Sequence, residues 1–234
     1  MWSNNPIRVM FVAAVFLVVL AACSAPAATP VPAPAATVAV PPAAATILPN
    51  NPSSGDQLRF VVIPEDSQAR YRVREQLANR DLPNDAVGAT NIISGTMVVD
   101  ANGNLVPGGS RFVIDVSTLA SDSSRRDGYL GNNVLQTGQF PNVTFVPTAI
   151  QGLPSPLPAS GEGTFEMTGD LTIRDVTRPT TWAITLRREG ETLTGQANTS
   201  FTFADFNRPQ PRVPILLSLQ DLIKLELDFT MLQQ

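Results

Sequence analysis

The chain has 234 residues, with 16 lysines and arginines against 20 aspartates and glutamates, a net charge of −4, one cysteine and no histidine. The absence of histidine excludes imidazole-activated nucleophiles, histidine-ligated zinc and a histidine pH switch, and a lone cysteine forms neither an internal disulfide nor a thiolate cluster. No basic stripe could neutralise a run of phosphates, so we expect no nucleic-acid partner. We also expect no metal site and no cofactor.

The first 22 residues have the pattern of an export signal. Arg8 supplies a positive charge, and the fourteen residues 9–22 are apolar without interruption. A helix of that length reaches about 21 Å, which is short of the roughly 30 Å hydrocarbon core, so a cleaved signal is favoured over a membrane span. Leu20-Ala21-Ala22-Cys23 resembles the lipobox of a bacterial lipoprotein, in which a peptidase cuts before the cysteine and the thiol carries a diacylglycerol.

We therefore predict a signal peptide over residues 1–22 and a lipidated Cys23. The protein is then exported and anchored to a bacterial membrane, facing the periplasm or the extracellular side. The alternative is an ordinary secretory leader followed by a coincidental cysteine.

A proline- and alanine-rich linker follows over residues 23–56. Eight prolines between positions 26 and 52 are interleaved with alanine, a density that neither helix nor sheet tolerates. Such a segment is semi-extended and reaches at most about 100 Å. We interpret it as a disordered spacer that holds a folded domain away from a membrane surface.

The domain over residues 57–234 alternates apolar and polar residues with a period of two, which is typical of antiparallel strands with one buried face. The pattern predicts strands at 58–63, 71–77, 92–100, 110–117, 142–150, 163–174, 181–187, 192–204 and 223–231. Asp100-Ala101-Asn102-Gly103, between two of these strands, predicts a hairpin turn, because asparagine and glycine accept positive φ. Residues 121–133 alone resemble a helix, with Ser121 or Asp122 as the N-cap.

Eight or nine such strands predict an all-β fold, an antiparallel β-barrel of about eight strands with one short helical segment. A barrel of about this size either fills with its own side chains or holds one ligand.

Several segments, in this order, resemble the YceI family. They are Arg126-Asp127-x-x-Leu130, Phe140-Pro141-Asn142-Val143-Thr144-Phe145, Gly169-Asp170-Leu171-Thr172-Ile173-Arg174, Val176-Thr177-Arg178-Pro179, Asp205-Phe206 and Asp221-x-Ile223-x-Leu225-x-Leu227. Each segment is weak alone, but the ordered set is specific and extends over residues 57–234. Two departures are Asp175, where the family usually has glycine, and the proline-rich stretch at residues 209–214.

The resemblance implies an elongated, lipocalin-like barrel that binds a long amphiphile, typically a polyisoprenoid, inside. We expect a set of large apolar side chains in the interior, each of which either contacts that ligand or packs the barrel core: Phe112, Phe145, Phe165, Trp182, Phe201 and Leu227. Arg126 either covers a sheet edge or meets an anionic head group, for which a guanidinium is well shaped. The resemblance also leaves pairing with a second copy open.

The predicted function is a tethered lipoprotein that binds a polyisoprenoid, quinone or similar lipid for transport, storage or sensing, without catalysis. One rival is a ligand-free structural or interaction module of the cell envelope, whose barrel would be filled by its own side chains. The other is a lipid-modifying enzyme that uses carboxylates alone, which requires at least two inward-facing acids.

Overall fold

A computed structural model of the protein describes residues 57–155 and 157–234. The predicted signal peptide, Cys23 and the Pro/Ala linker lie outside the described residues, so those predictions stay untested. Within the described ranges, no helix is long and apolar enough to cross a bilayer.

Strands dominate the described part of the chain. They are β1 (Gln57–Val62), β2 (Gln68–Leu77), β3 (Asn84–Thr90), β4 (Ile93–Asp100), β5 (Arg111–Asp115), β6 (Ala120–Ser121), β7 (Asn142–Gln151), β8 (Ser160–Ile173), β9 (Val176–Glu189), β10 (Thr192–Phe201) and β11 (Leu216–Gln233). One helix, α1 (Ser124–Tyr129), continues into a single π-helical turn over Leu130–Leu135.

Eight of these strands form a closed ring in the order β1-β4-β5-β7-β8-β9-β10-β11, and β11 returns to β1. The closing pairs are Phe60↔Gln233, Val61↔Leu232 and Val62↔Met231, and all the pairings in the sheet are antiparallel. The predicted all-β barrel of about eight strands is confirmed.

The other three strands lengthen the barrel at one end. One 3-10 turn separates β1 from β2, another separates β5 from β6, and two residues separate β3 from β4, so each pair continues as one interrupted strand. β2 pairs with β11 and β3, and β3 pairs with β6. β6 is two residues long, and the chain then enters α1, which packs against it.

The opposite end of the barrel is filled by close-packed apolar side chains. Phe60, Val99, Phe165, Leu193 and Met231 are buried there in one cluster. A small cavity of about 30 Å³ is left between this cluster and Leu153, Pro154, Leu157 and Pro158. We call this the closed end, because its side chains fill the space between the strands.

Two local predictions need correction. The helix begins later than expected: its N-cap is Ser123, whose hydroxyl accepts from the Arg126 N–H at 3.4 Å, whereas the Ser121 hydroxyl donates to Asp127 at 2.6 Å. The turn after β4 does form, with Gly103 at φ +83° and Asp100 accepting from the Asn102 N–H at 2.9 Å. It does not connect two strands directly, because β5 begins only at residue 111.

Candidate functional site: an apolar cavity in the barrel

A cavity of about 870 Å³ occupies the end of the barrel that β2 and β3 lengthen. Ala69, Tyr71 and Val73 line it from β2, and Leu225 and Leu227 line it from β11. These are alternate residues on paired strands, so the period-two stripe of each strand supplies one wall. The walls are apolar almost throughout.

Three segments surround the mouth of this cavity. They are the β2–β3 loop at 78–83, the start of α1 with the residues before it at 121–126, and the stretch 208–217 that leads into β11. Ile215 O accepts from the Ala78 N–H at 2.9 Å, and Arg80 Nη2 lies 3.6 Å from Asp122 Oδ2. The three segments therefore meet at one opening. We call them together the rim.

One departure from the family pattern, Asp175, contacts the residue that precedes the other, the proline-rich stretch at residues 209–214. Arg208, just before the proline-rich stretch, donates to Asp175 Oδ1 at 2.7 Å. Asp175 lies in the β8–β9 turn, where Arg174 adopts the left-handed φ of +57°. Within the stretch, Pro211 and Pro214 line the cavity. The proline-rich segment is therefore part of the wall, and Asp175 helps to fix its start.

Of the seven predicted ligand-binding residues, four line the large cavity: Arg126, Trp182, Phe201 and Leu227. Phe165 lines only the small cavity at the closed end. Phe112 and Phe145 belong to the packed core and are not among the cavity-lining residues. The structure thus brings four of them together, and contact with a ligand stays a prediction for all seven.

A buried ion pair in the wall was missed by the sequence analysis. Arg126 Nη2 lies 2.7 Å from Glu75 Oε1, and the Glu75 side chain is only 7% exposed. Arg126 also contacts Asp122, and its hydrogen bond lowers the pKa of that carboxyl. The signal was present in the sequence: Glu75 stands between Val73 and Leu77, in the register of the buried face of β2.

Two polar atoms in the cavity wall have no hydrogen-bond partner within the described residues. They are Tyr71 Oη and Trp182 Nε1, both buried. Burial raises the pKa of Tyr71 to about 12, because the ionised phenolate would lose its hydration. Both residues line the cavity, but the two donor atoms themselves are buried within its wall and are not exposed to the space inside.

Three further residues of the family pattern, Asp127, Asp205 and Arg174, make local contacts in turns and loops. Asp127 accepts from the Ser121 N–H at 3.1 Å, as expected for a capping aspartate, and Asp205 accepts from the Thr202 N–H at 2.7 Å. Arg174 donates to Val134 O at 3.1 Å and stacks on Phe140 at 5.4 Å. These contacts anchor the turns around the mouth.

The fold and the cavity define an antiparallel β-barrel that is filled at one end and hollow at the other. The model of the YceI-like domain family matches residues 60–231, so the chain belongs to that family. The described residues contain no group of three or more acidic or cysteine side chains that could hold a metal ion.

Curated relatives are similar over part of their length. A UPF0312 protein of Pseudomonas putida (strain W619) is 31% identical over 114 residues, which cover 45% of this chain and 56% of that protein. A UPF0312 protein of Vibrio vulnificus (strain YJ016) is 29% identical over 129 residues, which cover 52% of this chain and 64% of that protein. The chain thus spans little more than half the length of these relatives.

Two solved structures share the fold. A polyisoprenoid binding domain from Saccharophagus degradans, implicated in plant cell wall breakdown, superposes with a TM-score of 0.57 at 11% identity, covering 76% of this chain and 99% of that one. Burkholderia cenocepacia BcnA superposes with a TM-score of 0.54 at 19% identity, covering 72% and 98%.

Proposed function

We propose that this protein is a membrane-tethered lipoprotein that holds a long hydrophobic amphiphile, such as a polyisoprenoid or quinone, in its barrel for transport, storage or sensing. The single observation that carries the proposal is the apolar cavity of about 870 Å³. Ligand pockets span about 300–1,000 Å³, so the space suits one sizeable molecule. The Saccharophagus degradans domain of similar fold is described as polyisoprenoid binding, which supports the same ligand class here.

The wall chemistry favours an apolar chain over a polar solute. Burying about 400 Å² of hydrocarbon yields about 10 kcal/mol of gross transfer free energy at 25 cal/mol per Å². Part of this is lost because a flexible tail is immobilised.

The two alternative functions, a structural module and a carboxylate-dependent enzyme, each predict a different barrel interior. A structural module would have a barrel filled by its own side chains, and such filling is present only at the closed end. A carboxylate-dependent enzyme needs two inward-facing acids. Glu75, Asp122 and Glu226 line the cavity, but each is held by an arginine: Glu75 and Asp122 by Arg126, and Glu226 by Arg70 and Arg72. We therefore place the carrier first.

The lipid in the barrel can be identified directly. The full chain carrying Cys23→Ser, which cannot be acylated, is purified from its expression host and extracted, and the extract is analysed by mass spectrometry. We expect one amphiphile at close to one per chain. Ala86 is buried in the cavity wall, so Ala86→Phe should fill the space and abolish the lipid.

The matched control is Ala183→Phe, the same substitution at an exposed position of β9. It should retain the lipid. Circular dichroism verifies that each variant is folded. If neither lipid co-purification nor titration with polyprenols and quinones gives binding to the folded chain, the carrier proposal is wrong.

The anchor has a separate test. We expect wild-type protein in the membrane fraction with a diacylglyceryl group on Cys23 and without residues 1–22, and Cys23→Ser without the lipid and with residues 1–22 still attached. A wild-type N-terminal peptide that keeps residues 1–22, or that lacks the lipid, would refute the anchor and leave the cavity proposal untouched.

A further inference from the structure

We propose that the rim of the cavity mouth is a docking surface for a lipid bilayer that contains anionic lipids. The rim comprises residues 78–83, 121–126 and 208–217. This surface is distinct from the predicted acyl anchor, which lies before the barrel domain. It also does not depend on which molecule occupies the cavity.

The rim exposes large apolar side chains next to the opening. Leu82 is 76% exposed, Leu217 is 65% exposed and Ile215 is 39% exposed. Leu216 pairs with Leu77 directly before the loop that carries Leu82, so the three exposed side chains come from adjoining segments. Exposed apolar groups gathered at one place mark an interaction site rather than chance exposure.

The same segments carry positive charge on an acidic protein. They contain five arginines, at positions 80, 125, 126, 208 and 212, against the two aspartates Asp81 and Asp122, whereas the whole chain has a net charge of −4. Arg126 is neutralised by Glu75. Arg125 and Arg212 are exposed, and among the described residues neither lies within 4.0 Å of a carboxylate.

Apolar side chains flanked by unpaired arginines complement the surface of an anionic bilayer. Leucine and isoleucine enter the acyl boundary, and the arginines remain at the level of the lipid phosphates. An apolar cavity that opens between them lets a hydrophobic molecule pass from bilayer to barrel without crossing water. A protein partner would need no such combination around the opening of an apolar cavity.

Site-specific fluorescence tests the docking. Cys23 is the only cysteine, so a Cys23→Ser full chain can be labelled with an environment-sensitive probe at Leu82→Cys or Leu217→Cys. The control label is Ile92→Cys, an apolar position that is 50% exposed and lies outside the rim, between β3 and β4. Vesicles of phosphatidylcholine with phosphatidylglycerol are compared with phosphatidylcholine alone.

We expect blue-shifted, brighter emission at positions 82 and 217 on the anionic vesicles, and unchanged emission at position 92. Because every labelled chain carries the same residues 1–22, any membrane attraction of that segment is common to all of them. Replacing Arg125 and Arg212 by glutamine should lower the docking equilibrium about fivefold for each arginine. Leu217→Asp should abolish the signal at position 82, whereas Ile92→Asp should leave it intact.

Two outcomes overturn the proposal. One is that, with anionic vesicles present, probes at positions 82 and 217 still emit as they do in water. The other is an equal response at position 92, which would mean that the chain binds without orientation. Either result leaves lipid binding inside the barrel standing, because that is measured by extraction and mass spectrometry.

Discussion

The Arg126 guanidinium lies 2.7 Å from the Glu75 carboxylate and joins α1 to β2 across the mouth of the cavity. Both groups are largely withdrawn from water, with side-chain exposures of 19% and 7%. Each charge is tolerated there because the other is present. Glu75 is the only buried carboxylate among the described residues, and its partner Arg126 belongs to the family pattern.

Removing one member of this pair should cost more than removing both. Arg126→Met leaves the Glu75 carboxylate buried without its partner, and we expect the free energy of unfolding to fall by about 3 kcal/mol. Glu75→Gln combined with Arg126→Met should recover part of that loss. Urea denaturation measures both. Additive losses in the double variant would show that the two residues act independently.

The glycine of the Gly169-Asp170-Leu171 motif should be required by close packing. A Cβ at Gly169 would meet Val146 O and lie 2.7 Å from Phe145 Cζ, within the β7–β8 contact. We expect Gly169→Ala to lower the free energy of unfolding by about 1–3 kcal/mol, because the strands must separate.

Gly163 provides the control on the same strand. A Cβ there meets nothing within 4 Å. Gly163→Ala should be neutral or stabilising by less than about 1 kcal/mol, because alanine reduces the freedom of the unfolded chain. Thermal unfolding of the two variants compares them, and equal effects would contradict the packing explanation.

Tyr71 should make the protein sensitive to alkali. Its pKa is raised by burial from the ordinary value of 10.0 to about 12, so the unfolded chain releases this proton at lower pH than the folded one. The contribution of the Tyr71 phenol to the free energy of unfolding is complete below pH 10. It falls by about 1–2 kcal/mol as pH rises towards 12. In Tyr71→Phe, the free energy of unfolding should fall less between pH 10 and pH 12.

Phenolate absorbance gives an independent measure of the same group. The chain has two tyrosines, Tyr71 and Tyr129, so Tyr71→Phe removes one of its two phenols. The late-titrating absorbance step should disappear in that variant. A single step near the ordinary value in the wild-type chain would refute the assignment.

Trp182 should report on occupancy of the cavity. It lines the cavity and packs against Phe145 with a centroid separation of 5.8 Å. A quinone that enters the barrel should quench its fluorescence, and in a Trp2→Phe chain the remaining emission comes from Trp182 alone. Ala86→Phe should remove the quenching. Quenching that persists in that variant would place the quinone elsewhere.

The strands predicted from the sequence were those with bulky alternating residues. β11 and β9 were found because apolar side chains repeat at every second position. β3 was missed because Asn84–Thr90 contains mainly small residues, and its position is fixed by pairing with β2. A strand that depends on its neighbours has little pattern of its own.

The sequence predicts which face of each strand points into the barrel, but not how the strands pack around the candidate site. The inward faces of β2 and β11 follow from period two, and these faces form much of the wall. The division of the barrel into a filled end and a hollow end could not be predicted. Phe112, Phe145 and Phe165 have the same residue type as Phe201, and only the long-range packing separates them.

The geometry of the barrel places Gln57 and Gln234 close together. Gln57 begins β1 beside Asp100, and the Gln234 N–H donates to Arg59 O at 2.9 Å, both at the closed end. A sensor surface, bead or fusion partner coupled through either point would therefore leave the opening facing outward. Immobilised in this way, the molecule would present its hollow end to whatever flows past.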